Sequence, residues 1–159
     1  MSKTSLDRTD ICILSALQES GRLSKSALAE KVNLSSSPCW VRLKRLEKAG
    51  FIKGYHTDIA LEKVMEFTKV VVTVSLKNHR KQDFEIFESY IENLDEITQC
   101  VTTGGGIDYI ITVICSSFSH FQNVMEKMVA DEIGIDRYIT YFVTREVKAS
   151  YPNLSKLTA

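Results

Sequence analysis

The sequence predicts an α+β protein: an N-terminal winged helix-turn-helix followed by a C-terminal ferredoxin-like βαββαβ plait. Apolar residues recur at helical spacing through the first third of the chain, and from about Thr68 they alternate as in strands. The zero formal net charge is unevenly distributed. Residues 1–60 carry ten Lys and Arg against six Asp and Glu, and residues 61–159 carry ten against fourteen. This division indicates that only the first part meets a polyanion.

The first third is predicted to form three short helices. The first runs from Asp7 to Glu19, Ser24 caps the second, and residues 33–35 connect it to a third that ends at Gly50. Two short helices with a three- or four-residue connection, the second of them basic, are a helix-turn-helix. The apolar residues expected to face inward are Ile11, Leu14 and Leu17, then Ala27, Leu28 and Val32, then Cys39, Leu43 and Leu46.

The rest of the chain alternates strands with helices. Phe51 to Ala60 is extended and alternating, which indicates a small wing or connector strand. Strands are then predicted at Thr68–Leu76, Ile97–Thr103, Ile107–Cys115 and Ile135–Val147. The intervening helices place Phe84, Phe87, Ile91 and Leu94 inward in one case, and Phe118, Phe121, Met125 and Met128 in the other.

In this topology the two helices cover one face of the sheet, and the strand from Ile107 is central. The other face would expose a set of apolar side chains, or their neighbours, depending on register: Ile110, Ile114, Tyr138 and Phe142. An uncovered apolar face usually marks an association surface. We therefore expect at least a dimer, and the alternative is a face covered by the chain's own linker.

The composition excludes several classes of protein. An apolar fraction of 44% and a charged fraction of 25% are ordinary for a soluble domain. No apolar run approaches the roughly 18 residues of a membrane span, and the first residues lack the apolar core of a secretory signal. A cytoplasmic protein is therefore expected. The four cysteines and three histidines are scattered, so we expect no metal site and interpret the cysteines as packing thiols, with redox sensing as the alternative.

The third predicted helix carries the candidate DNA-binding residues. Its exposed side clusters Ser37, Val41, Lys44, Arg45 and Lys48, with Arg42 and Trp40 on the flanks. Lys and Arg can neutralise phosphates, Arg can pair with guanine, and the N-terminus with Ser35, Ser36 and Ser37 suits a phosphate. A basic helix alone is more often a solvated face, but the preceding helix and turn favour DNA. Trp40 is expected to pack rather than to stack on bases.

The glycine run Gly104–Gly106, followed by Asp108 and Tyr109, is the second candidate site. Three glycines between two strands permit a bulged hairpin. The alternatives are a plain hairpin turn, or a small-ligand pocket in which Asp108 accepts the ammonium group of an amino acid. It is not a dinucleotide fingerprint, because no helix begins after the glycines.

Several motifs together resemble the Lrp/AsnC family of feast/famine transcriptional regulators. They are Leu6-Asp-Arg-Thr-Asp10, the segment from Asn33 to Glu47, Gly50-Phe-Ile-Lys-Gly-Tyr55 and Gly105-x-x-Asp-Tyr109. The resemblance implies a DNA-binding domain at residues 6–66 and an effector-binding and oligomerisation domain at residues 67–159. It also implies a homodimer that often assembles into tetramers or octamers. The two-fold symmetry of a dimer predicts a pseudo-palindromic DNA operator, and we expect a nucleoid-associated protein without catalytic residues or cofactor.

By position, the resemblance places the effector site on the glycine-loop region and on the last strand. The implied residues are Thr102, Gly104, Gly105, Asp108 and Tyr109, with Thr140, Tyr141 and Phe142 from the last strand. The effector would be an amino acid or related metabolite bound between dimers. The family often has Ser-Gly and a polar residue where this chain has Gly104–Ile107, so the identity of the effector stays open.

Two other functions are less well supported. A small enzyme on the plait would need a paired nucleophile and base or a metal cluster, and the sequence offers neither. An RNA-recognition sheet would need stacking aromatics and basic residues on its central strands. The strand from Ile107 to Cys115 offers only Tyr109, and this half is acidic.

Overall fold

The computed structural model describes residues 5–157. They divide into two compact units, of which one ends at Asp58 and also includes the chain from Lys148 onward, while the other spans Ile59–Val147. The expected boundary lies after residue 66, with all later residues in the second domain; the units differ from this because the C-terminal segment packs with the first unit. Whether residues 6–66 and 67–159 behave as separate domains stays a prediction.

Three helices form the first unit: α1 (Arg8–Glu19), α2 (Lys25–Lys31) and α3 (Ser36–Lys48). Asp7 caps α1 and Ser24 caps α2, each by accepting a backbone N–H with its side chain. The core of this unit includes Ile13, Ala16, Leu28, Ala29, Cys39, Leu43 and Leu46. The predicted inward stripe of α3 is confirmed.

The inward stripe of α1 differs from the predicted one. Ile13 and Ala16 are buried, whereas Ile11, Leu14 and Leu17 are only partly buried. Residues 11–14 of this helix are all apolar, as are Ala16 and Leu17, so the sequence admits either stripe, and packing against α2 and α3 selects between them. In α2, similarly, Leu28 and Ala29 are buried and Ala27 and Val32 are at the edge.

Two residues with positive φ shape the ends of the helix-turn-helix. Asn33 (φ 53°) makes the turn between α2 and α3, and Leu34 N–H donates to the Ala29 carbonyl at 2.9 Å. Gly50 (φ 76°) ends α3, and the following Phe51 N–H donates to the Leu46 carbonyl at 3.1 Å. This is the glycine C-cap that the sequence predicts.

The expected connector strand is not observed. Residues 52–60 belong to no helix or strand, and a single 3₁₀ turn follows at Leu61–Lys63. An alternating pattern specifies a strand only where a partner strand completes the ladder, and these residues pair with none in the described part of the chain.

The second unit is the predicted plait. Its elements are β1 (Thr68–Leu76), α4 (Lys81–Ile91), β2 (Ile97–Thr102), β3 (Tyr109–Cys115), α5 (Phe118–Ala130) and β4 (Ile135–Phe142). The sheet is antiparallel with strand order β2-β3-β1-β4, so β3 is central as expected. One sheet face carries Val70, Val72 and Val74, all buried against the helices.

The opposite sheet face is apolar and uncovered by the helices. Strand registers place on it Val71, Val101, Ile110, Ile114, Ile139 and Tyr141. The expectation for Ile110 and Ile114 is confirmed, but Tyr138 and Phe142 lie on the helix side. Phe142 contacts the rings of Phe118 and Phe121, at centroid distances of 5.5 and 5.7 Å. A one-residue change of register exchanges the two faces of a strand.

The C-terminal end of the chain departs from prediction in two ways. The last strand stops at Phe142 instead of continuing to Val147, because its ladder with β1 ends there. A short helix, α6 (Leu154–Leu157), follows and packs on α1 within the first unit. No helix in the described residues is long and apolar enough to cross a membrane.

Candidate nucleic-acid interface and ligand site

The exposed face of α3 presents small, apolar and cationic side chains together. Ser36, Ser37 and Lys48 are exposed, and Val41 is 67% exposed although it is apolar. Ser35 is the N-cap residue, but its hydroxyl makes no capping hydrogen bond, so the first N–H groups of the helix keep their donor capacity. A helix N-terminus of this kind attracts anions such as phosphate.

A network of ion pairs borders one flank of that face. Arg42 Nη1 donates to Asp7 at 2.5 Å and to Asp10 at 2.9 Å, and Arg45 Nη2 donates to the other oxygen of Asp10. The hydrogen bond that Arg42 donates lowers the pKa of the Asp7 carboxyl, and the hydrogen bonds that Asp7 and Asp10 accept raise the pKa of Arg42. Arg42 is therefore held against α1, whereas Arg45 is half-exposed.

The other flank is built around Trp40. The Lys25 ammonium lies 3.7 Å from the centroid of its ring, and the Lys44 ammonium lies 4.6 Å away. Lys44 also pairs with Glu47 at 2.6 Å, and this hydrogen bond lowers the pKa of Glu47. Burial and the hydrogen bond to Glu47 raise the pKa of Tyr55 to about 12. Trp40 packs against the core of the first unit, as predicted.

The glycine run between β2 and β3 forms an open loop. Gly104, Gly105 and Gly106 are exposed, and Gly105 has φ 150°. Thr103 closes the loop, because its N–H donates to the Asp108 carbonyl and its hydroxyl donates to the Ile107 carbonyl. A methyl group added to the Cα of any of the three glycines would meet no other atom within 4 Å, so the loop has space for a ligand at its backbone.

Asp108 stands beside this loop with its carboxylate already engaged. The carboxylate accepts the Leu76 N–H at 2.7 Å, and His79 Nε2 lies 3.0 Å from its other oxygen. The side chain is only partly exposed. A ligand ammonium at Asp108 would therefore share the carboxylate with these partners or displace His79.

Tyr109 is buried and points to the helix side of the sheet. Its hydroxyl donates to Glu88 at 2.8 Å, and burial followed by Glu88 raises the pKa of Tyr109. Together with Thr102, Glu92 and Cys100, these two residues line a cavity of about 240 Å³. The carboxylates of Glu88 and Glu92 in this cavity would favour a small ligand that carries a positive charge.

The proposed effector residues from the last strand lie elsewhere in the unit. β4 and β2 occupy opposite edges of the sheet. Thr140 and Phe142 lie on the helix side, opposite Val72 and Val70, and Tyr141 lies on the uncovered face. A single chain therefore brings together Thr102, Asp108, Tyr109 and the glycines, but not the three residues of β4.

The cysteines divide into two pairs with different environments. Cys39 and Cys115 are buried, as expected of packing thiols, and burial raises the pKa of both. Cys12 and Cys100 are exposed, so the packing interpretation is wrong for these two. Within residues 5–157, no group of His, Cys, Asp and Glu side chains is arranged to hold a metal ion.

Two residues of these sites escaped the sequence analysis. Asp10 holds two arginines of α3 and Glu88 accepts from Tyr109, yet the sequence analysis assigned neither residue to a site, although Asp10 belongs to the Leu6–Asp10 motif. A further signal for Asp10 is an acidic residue three positions before Ile13, on the inward side of the observed α1 stripe. Glu88 gives no comparable signal, because an acidic residue on an amphipathic helix usually faces solvent.

Comparisons with known proteins agree with this arrangement. Residues 6–53 match a family of winged helix-turn-helix DNA-binding domains, and residues 69–153 match the Lrp/AsnC ligand binding domain. The chain is 41% identical over 150 residues to the transcriptional regulatory protein DoeX of Halomonas elongata, covering 94% of this chain and 95% of that protein. It is 33% identical over 145 residues to the leucine-responsive regulatory protein of Escherichia coli K12, covering 91% and 88%.

Solved structures show the same architecture. A Neisseria meningitidis transcriptional regulator in complex with L-Met aligns with a TM-score of 0.85 and 32% identity, over 92% of this chain and 94% of that chain. AsnC of E. coli aligns with a TM-score of 0.83 and 24% identity, over 94% and 99%, which is a likeness of fold.

Proposed function

Because the chain belongs to the Lrp/AsnC family of DNA-binding transcriptional regulators, we propose that α3 reads a DNA major groove and that the glycine-loop end of the plait binds an amino acid. The family consists of ligand-modulated regulators and not of enzymes. What remains to be assigned is which residues of this chain perform the two tasks.

The exposed face of α3 carries the DNA-binding proposal. Small residues at its N-terminal half allow close approach to base pairs, and cations surround them. We assign the N-terminal serines and Lys48 to phosphates, Val41 and Arg45 to base edges, and Lys44 to either. Arg42, held by two carboxylates, lies at the edge of the contact. The complete proposed set is Ser35, Ser36, Ser37, Val41, Arg42, Lys44, Arg45 and Lys48.

A double substitution tests this assignment. K44A/R45A should abolish the gel shift of duplex DNA from the protein's own upstream region, because it removes two cations per subunit from the proposed face. Lys81→Ala is the matched control, since Lys81 is an exposed lysine of α4 paired with Glu85 at 3.1 Å. Unchanged DNA binding by the folded double variant would refute the assignment of α3.

The ligand proposal rests on the cluster at one end of the sheet. Thr102 and Tyr109 line a cavity with Glu88 and Glu92, and the glycine loop with Asp108 lies between these two residues in the chain. The match to the ligand-binding family and the relative solved with L-Met favour an amino acid. Thr140, Tyr141 and Phe142 lie at the far edge of the same sheet, so we propose that they contribute from another copy of the chain.

A thermal-shift panel of the twenty amino acids tests the ligand class. A ligand at about 100 times its Kd should stabilise the folded protein by about 2.7 kcal/mol. Asp108→Asn should reduce this shift, because the amide replaces the charge that meets the ammonium. No shift with any amino acid at millimolar concentration would contradict the proposal.

We also propose that the uncovered sheet face forms a homodimer. Val71, Ile110, Ile114, Ile139 and Tyr141 lie on it, interspersed with Thr73 and Thr112. A two-fold dimer would present two α3 helices to a pseudo-palindromic site, with half-sites about one helical turn or a multiple apart. Further assembly to a tetramer or octamer, and a cytoplasmic, nucleoid-associated location, are part of the same proposal.

A further inference from the structure

A buried carboxylate on α1 lies next to the DNA-binding face without belonging to it. Asp10 is 0% exposed and is the one buried charged residue in the described part of the chain. An ionised carboxylate is buried only where cations and hydrogen bonds compensate its charge. Asp10 therefore requires partners that compensate its charge.

Both oxygens of Asp10 are fully engaged. One accepts from Arg42 Nη1 at 2.9 Å, and the other accepts from Arg45 Nη2 and from the Asp7 N–H at 3.1 Å. Asp10 thus joins the first turn of α1 to two successive turns of α3. Its own N–H donates to the Asp7 side chain at 2.8 Å, so its position is also fixed by the cap of α1.

The two arginines are held in different ways. Arg42 uses one nitrogen for both Asp7 and Asp10, and its side chain is 32% exposed. Arg45 gives one nitrogen to Asp10 and is 46% exposed. Around the helix axis Arg45 lies about 40° from Val41, whereas Arg42 lies about 100° away. Both arginines keep N–H groups that are not bound to Asp7 or Asp10, but Arg45 lies on the groove side of α3 and Arg42 lies on its flank.

We propose that Asp10 is a positioning residue for DNA recognition, which holds the Arg45 guanidinium so that its free edge faces a base. This proposal rests on the assignment of α3 as the DNA-reading helix. A restrained guanidinium loses less rotamer freedom on binding, which favours the base pair that fits its donors. The Asp10 charge also offsets part of the arginine charge, which weakens attraction to phosphates of any sequence.

The proposal predicts opposite effects on two kinds of DNA. In Asp10→Asn the amide keeps the size of the side chain but loses its charge. Binding to a duplex selected by the wild-type protein from a randomised pool should weaken, and binding to a random-sequence duplex should stay equal or strengthen. The ratio of the two affinities should fall by about tenfold, within the range for loss of one base-reading pair. A merely structural loss would weaken both equally.

Asp7→Asn is the matched control. Asp7 contacts Arg42 and accepts the Asp10 N–H, a cap that asparagine can also make, but it does not contact Arg45, and its side chain is 51% exposed. Its specificity ratio should change by less than about twofold, since surface pairs contribute little. Asp10→Asn made in an Arg45→Ala background should produce no further loss of specificity, because Asp10 acts through Arg45.

Circular dichroism and thermal unfolding establish which variants fold. If Asp10→Asn does not, Arg45→Lys decides the question, because it keeps the charge on α3 but cannot contact carboxylate and base with one planar fork. An unchanged specificity ratio in folded Asp10→Asn, or in Arg45→Lys where Asp10→Asn does not fold, overturns the proposal. A further loss of specificity in the Arg45→Ala background overturns it as well.

The K44A/R45A variant separates this proposal from the assignment of α3. If that variant binds DNA normally, the assignment of α3 is wrong. If it does not bind DNA and Asp10→Asn keeps the wild-type specificity ratio, only the role of Asp10 is refuted.

Discussion

Replacing Lys48 with alanine measures how far the exposed face of α3 acts through phosphates. Lys48 is exposed in the last turn of α3 and forms no ion pair with any described residue, so its whole charge is available to DNA. Each phosphate contact contributes about 0.9 to the slope of log K against log salt. A dimer loses two contacts, so the slope should become shallower by about 1.8.

The same change in slope predicts a loss of affinity for DNA. The phosphate contribution vanishes at about 1 M salt. At about 0.15 M salt, a slope difference of about 1.8 therefore corresponds to about 30-fold weaker DNA binding, or about 2 kcal/mol of binding free energy. Lys44→Ala should change the slope less, because the Lys44 ammonium is 2.6 Å from Glu47 and part of its charge is already compensated. We therefore expect Lys48→Ala to change the slope more than Lys44→Ala, because of the two lysines only Lys44 is paired with a carboxylate of a described residue in the free protein.

Fluorescence anisotropy with a labelled duplex, repeated at four or five salt concentrations, provides the slope. Lys81→Ala controls for the loss of any surface lysine, because Lys81 is 91% exposed on the acidic unit. An unchanged slope in Lys48→Ala would refute the reasoning. A slope change equal to that of Lys81→Ala would refute it as well, because the effect would then not be specific to α3.

Three further predictions concern the dimer, a buried hydrogen bond and acid stability. Ile139→Asp should shift the protein towards monomer in sedimentation velocity, because a two-fold interface would bury the new charge twice; an unchanged sedimentation coefficient would exclude the uncovered face as the interface. Tyr109→Phe should lower the free energy of unfolding in urea by about 1 kcal/mol, since it removes the hydrogen bond to Glu88; no change would mean that solvent replaces that bond at no cost. The Arg42 hydrogen bond lowers the pKa of Asp7 below its ordinary 3.8, so its stabilising effect is present above that pH and disappears as the pH falls through the lowered pKa. The melting temperature of Asp7→Asn should therefore lie below that of the wild type at pH 6 and converge with it in acid, and a constant difference at all pH values would contradict the linkage.

Local patterns predicted most of the secondary structure. The caps at Asp7 and Ser24, the glycine end of α3 and the two periods of apolar residues depend on neighbours within a few positions of the chain. The alternating segment from Phe51 to Ala60 shows the limit of such patterns. It contains strand-like spacing but has no partner strand, and it stays irregular.

The sequence by itself therefore determined the order of elements, the charged character of each part and the exposed face of α3. Only the tertiary structure decided which stripe of α1 is buried, which face of β4 is uncovered and which cations of α3 are already paired. The Asp10 contacts to Arg42 and Arg45 span 32 and 35 residues, and the face of β4 depends on its register with β1. The physical reason is that periodicity records distances along the chain, whereas pairing, register and charge compensation depend on residues that meet only after the chain has folded.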